Sequence, residues 1–140
     1  YDQNEEWNKS DELYTKLISI NDKDAQAYNN FAYSLVERDE DLDYALALAK
    51  KAVLINPNIS AYLDTIGWIY YKLSDFAKAK EYIGKALIYD DTSSVILEHY
   101  GDVLISLNEI EEALIFYKKA LLLDENNEKL QSKIISYESQ

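Results

Sequence analysis

The chain has 140 residues, 48% of them apolar and 29% charged, with three glycines and one proline. That is enough apolar material for one substantial core and too little turn material for a loop-rich or all-β fold. A formal charge of −12 argues against nucleic-acid backbones or anionic lipid as the main partner, and the lack of cysteine excludes disulfides and thiolate metal sites.

Residues 1–24 read as the end of an earlier unit. A helix is expected from about Glu5 to Ile20, with Trp7, Ser10, Tyr14 and Leu17 on its inner face and a turn at Asn21–Asp24. Tyr1 falls in register with Tyr70, so the chain is expected to enter in the middle of a first helix. Residues 25–58 follow, with Tyr28, Phe31, Ala32 and Leu35 as one buried stripe and Ala45, Ala49, Ala52 and Val53 as a second. The corner between them is one residue longer than the one around Ser74, an insertion that costs little in an exposed loop. Pro57 ends the second helix, because the residue before a proline is steered away from helical angles.

Residues 59–93 hold Leu63, Ile66, Gly67, Tyr70 and Leu73, a polar break at Ser74-Asp75, then Phe76, Ala79, Ile83, Ala86 and Leu87. Residues 94–127 repeat this with Leu97, Tyr100, Gly101 and Leu104, then Ile110, Ala113, Tyr117, Ala120 and Leu121. Asp90-Asp91-Thr92 and Asp124–Asn127 are suited to N-capping the helices that follow. Residues 128–140 put Leu130, Ile134, Ile135 and Tyr137 on a last amphipathic helix expected to cover the open end.

Gly67 and Gly101, Ala79 and Ala113, and Ala86 and Ala120 all stand 34 residues apart, and Ala45 and Ala52 extend the series backwards. A helix–turn–helix unit with this period predicts a solenoid whose small residues mark the helix crossings. Valine at position 101 is accordingly expected to destabilise by about 1–3 kcal/mol through overpacking.

These positions resemble the tetratricopeptide repeat, of the kind common in bacterial multi-repeat proteins: Leu63, Ile66-Gly67, Tyr70, Ala79, Ile83 and Ala86, with their counterparts in the flanking units. Ala32 replaces a glycine of the pattern, Ala49 a large residue, and Asp91 and Glu125 a proline. The resemblance implies an all-α, right-handed superhelical solenoid of antiparallel helix pairs. It also implies a concave groove lined by the first helix of each unit. Carried across by register, the groove positions are Asn29, Tyr33, Val36 and Glu37, then Asp64, Trp68, Tyr71 and Lys72, then Glu98, Asp102, Ile105 and Ser106.

Tyr33, Trp68 and Tyr71 lie off the buried stripes and are expected to offer exposed aromatic surface to a peptide. Lys72 is the only basic residue of the set, and Asp64, Glu98 and Asp102 would repel the chaperone C-terminal carboxylate that some family members bind. The expected partner is therefore a protein or peptide segment, neutral or basic, with apolar anchors. The alternative is a structural segment that stacks on further repeats or self-associates through its ends.

Nothing in the sequence points to catalysis or to a cofactor. The single histidine, His99, has no second histidine at helical spacing and is expected at the surface beside Glu98 and Asp102. Gly67, Gly84 and Gly101 lie inside helices, not in a phosphate loop, and the acidic pairs lack calcium-loop spacing.

Overall fold

The computed structural model describes residues 3–139, and every regular element among them is a helix. In chain order these are α1 (Gln3–Ile20), α2 (Ala25–Glu37), α3 (Leu42–Ile55), α4 (Ser60–Lys72), α5 (Phe76–Tyr89), α6 (Ser94–Ser106), α7 (Ile110–Leu123) and α8 (Glu128–Glu138). The register of Tyr1 lies outside the described residues.

Pairing follows the chain: α2 packs on α3, α4 on α5 and α6 on α7, and each pair then packs on the next. The first helices α2, α4 and α6 also pack on one another, whereas α3, α5 and α7 make no comparable contact among themselves. One row is drawn together and the other splayed, so the α2–α4–α6 side is concave. The small residues Ala32, Ala45, Ala79, Ala86, Ala113 and Ala120 are fully buried, which lets the backbones approach.

The caps show which polar residues were placed for local reasons. Asp24, Asp75, Ser93 and Asn127 each accept a backbone N–H of the helix they precede. Asp90 is not the N-cap of α6: it closes the C-terminus of α5 and accepts from the backbone and hydroxyl of Thr92, and Ser93 caps α6 instead. Leu17, expected on the inner face of α1, is exposed, as is Ile135 on α8, while Leu130 and Ile134 are buried.

The corner between the helices of each unit places one residue in the left-handed region: Asp39 (φ 51°), Ser74 (φ 64°) and Asn108 (φ 61°). The longer first corner uses a second, Asp41 (φ 44°). Asparagine and aspartate tolerate this conformation better than serine does. Ser74→Gly is therefore expected to raise stability by about 0.5–1 kcal/mol, read as a higher urea midpoint at unchanged slope. A midpoint below wild type would mean that the Ser74 side chain, not its backbone, governs the corner.

Candidate partner-binding groove

The concave row is built by residues one turn apart on each first helix, and the structure sorts the sequence-based candidates into different roles. Tyr33 is 38% exposed, Glu37, Lys72 and Ser106 are exposed, and Tyr71 and Ile105 are half-buried. Val36 is fully buried in the core, contrary to expectation, because α4 covers that side of α2.

Trp68 is also not an exposed aromatic. Only 9% of it is accessible, and its ring lies between Tyr71 (4.5 Å, 8° between planes) and His99 (3.8 Å, 11°). His99 is buried rather than on the surface, and its partner is not Glu98 or Asp102. Its Nδ1 sits 3.1 and 3.2 Å from the two oxygens of Asp64, itself buried. Lys72 lies 5.5 Å from the Trp68 ring centroid and 3.6 Å from Asp39, so the one basic residue expected to line the groove is already shared.

Glu98 and Asp102 are held from the C-terminal side. Lys133 of α8 places its Nζ 2.6 Å from Glu98 and 3.0 Å from Asp102, and Asp102 also accepts the Tyr117 hydroxyl at 2.6 Å. Burial, and then the Asp102 carboxylate, push the Tyr117 phenol well above its ordinary value. Burial by itself lowers the Lys133 ammonium, but the hydrogen bonds and charges of Glu98 and Asp102 outweigh it and hold the proton on.

A folded-state value above the unfolded one stabilises fully below the ordinary lysine range and is lost as pH rises through the raised value. The docking of α8 should therefore weaken in the alkaline range. Lys133→Met is expected to cost about 1–2 kcal/mol at neutral pH, discounted because a third of the side chain is exposed. It should also remove part of the alkaline loss. An identical alkaline decline in the variant would assign that loss elsewhere.

At the N-terminal end of the row a cavity of about 410 Å³ opens across α2, α4 and the start of α6, lined by Asn29, Asn30, Tyr33, Asp64, Ser93 and Val95 among others. Asn29 is buried, and its side-chain oxygen has no hydrogen-bond partner. Burial, followed by the charge and hydrogen bond of Glu37 and the charge of Asp64, raises the Tyr33 phenol to about 12. Glu37 and Asp64 are the charged groups acting on it, and both are acidic.

The sequence reading did not single out Lys133, Ser93 or Val95. The signal for Lys133 was its 34-residue spacing from His99. It also missed an apolar row on the convex side, where Leu54, Ile88 and Leu122, again one period apart, are 83%, 80% and 74% exposed. Among the described residues, no group of three or more His, Cys, Asp or Glu is arranged to hold a metal. No described helix is long and apolar enough to cross a membrane.

Comparison with known proteins agrees with the helix pairing. A model of the tetratricopeptide repeat matches residues 61–91 and 96–127. A TPR repeat-containing protein of Pseudomonas aeruginosa is 35% identical over 71 residues, 51% of this chain and 12% of that protein. The matches to curated relatives cover only 10–13% of those proteins' lengths. Among solved structures, a thermophilic TPR protein of Thermus thermophilus superposes with a TM-score of 0.79 at 23% identity, over 93% of this chain and 72% of its own. YrrB, a TPR protein with an unusual peptide-binding site, superposes at 0.76 with 28% identity, over 86% of this chain and 62% of its own.

Proposed function

We propose that this chain, which belongs to the tetratricopeptide repeat family, holds a partner protein by a short segment laid along the concave row of α2, α4 and α6. At the level that family and fold carry, it is a protein-interaction repeat scaffold. The finer reading rests on one observation: the N-terminal end of the row keeps an open cavity beside exposed Tyr33, while further along the row His99 and Lys133 occupy the polar groups.

The role is non-catalytic. The segment held is neutral or basic with apolar anchors, because Asp64 and Glu37 lie by the cavity and Lys72 is shared with Asp39. The relative with a peptide-binding site makes a peptide the natural occupant.

The reading is tested by selecting peptides from a random library and mapping the survivors by amide chemical shifts. Survivors should perturb Tyr33, Asn30, Ile105 and their neighbours, and Tyr33→Ala should weaken them about tenfold, with Leu122→Ser leaving them unchanged. Survivors that map to the row of Leu54, Ile88 and Leu122 would overturn it.

A second reading, a segment that self-associates, is favoured by the outer face of α1, where Leu13, Leu17 and Ile20 are exposed together. Sedimentation across a concentration series decides it. A mass that rises with concentration, and stays monomeric in Leu13→Glu/Ile20→Lys, supports the second reading; a constant monomer removes it.

A further inference from the structure

We infer that the cavity between α2 and α4 is a site for the guanidinium group of an arginine in the bound segment, an inference that rests on the groove reading above. It comes from comparing three equivalent positions. Each first helix offers its successor a pair of residues one turn apart: Asn29 and Tyr33 on α2, Asp64 and Trp68 on α4, Glu98 and Asp102 on α6. The successor answers with Thr65, His99 and Lys133, each 34 residues after the last.

In the second position His99 bonds Asp64 and stacks on Trp68. In the third, Lys133 bonds Glu98 and Asp102. In the first the pattern breaks. The Thr65 hydroxyl donates to Ala61 O at 2.9 Å, on its own helix, and Asn29 Oδ1 is left buried with no partner from the chain.

The group the chain leaves out here is the kind it supplies twice elsewhere: a nitrogen donor able to bear positive charge. A buried acceptor without a donor is costly, so a donor brought by a partner is favoured at Asn29. The cavity lining contains no lysine or arginine and does contain Asp64. The aromatic member of the pair, Tyr33, is exposed where Trp68 is covered. A flat cation with several N–H donors satisfies all three features: it donates to Asn29, stacks on Tyr33 as His99 does on Trp68, and lies within the field of Asp64 and Glu37. An ammonium offers charge and donors but no plane to stack.

The test uses small probes, so that it does not depend on finding the partner. The isotope-labelled chain is titrated with N-acetyl-arginine amide, with the citrulline analogue (same shape, no charge) and with the lysine analogue. The arginine probe should move the Asn29 side-chain amide and the Tyr33 signals saturably. The citrulline probe should bind about tenfold more weakly, with lysine between. Thr65→Lys, which gives the first position the donor that Lys133 gives the third, should abolish the response while leaving the helical spectrum intact. Asn29→Leu should do the same and serves if the lysine variant fails to fold.

Citrulline binding as well as arginine, a response that survives in both variants, or no saturable shift at Asn29 and Tyr33 would each overturn the inference. Because the probes carry no peptide sequence, their failure leaves the library-selected peptides standing as evidence for the groove. Failure of the library with a positive arginine response would remove the groove reading instead.

Discussion

Trp68→Ala is expected to lower stability by about 3–5 kcal/mol, not to leave a sound scaffold with an emptied groove. Read from its own helix, Trp68 lies off the buried stripe and resembles a ligand contact. In the structure its two faces are taken by Tyr71 and His99, and 9% of it remains accessible. Removing the indole opens a void between α4 and α6 and takes the stacking surface from a buried His99 that keeps only Asp64.

Tyr33→Ala, at the corresponding position of α2, is exposed and should cost well under 1 kcal/mol. Urea unfolding followed by far-ultraviolet circular dichroism separates the two. A Trp68→Ala midpoint equal to wild type, together with lost peptide binding, would return Trp68 to the groove.

The same contrast explains what was legible in the sequence. The helix pairs and their period could be read because they depend on residues within one unit: Gly67 against Ile83, Ala79 and Ala86 at the crossing, Ser74 at the corner. A stripe of period 3.6 reports those contacts directly. The groove depends on the next unit, which a single helix does not report. In α4 every residue from Tyr62 to Tyr70 is buried, because α2 and α6 cover its flanks while α3 and α5 cover its back. A single helix therefore places Val36 and Trp68 at the groove, whereas both lie in the interior. Tyr33 stays exposed because Thr65 is short where His99, at the next equivalent position, covers Trp68. His99 follows the same logic: its acidic sequence neighbours suggest a surface position, but its partner lies 35 residues away on another helix.

The crossings make the strongest demand on residue size, and they rank three glycines. Valine at Gly67 is expected to cost about 3 kcal/mol or slightly more, and at Gly101 about 1–3 kcal/mol. A Cβ at Gly67 would run into Ile83 Cγ1 and would also lie 3.1 Å from Ile83 N and 3.2 Å from Ala79 O. Those last two are backbone atoms of α5, so relief requires the helix to move. The three atoms nearest a Cβ at Gly101 all belong to the Tyr117 ring, with Cδ1 at 2.5 Å and Cζ at 3.1 Å. A ring can turn, although this one is buried and would give up its hydrogen bond to Asp102 in doing so.

Gly84 sits in a helix for neither reason, since the nearest atoms to a Cβ there are on Tyr100 at 3.7 and 3.8 Å, ordinary contact. Gly84→Ala is therefore expected to gain about 0.5–1 kcal/mol from helix propensity alone. The order in urea midpoint should be Gly84→Ala above wild type, then Gly101→Val, then Gly67→Val. If Gly67→Val were as stable as Gly84→Ala, the close crossing of α4 on α5 would be wrong, and with it the placement of the concave row.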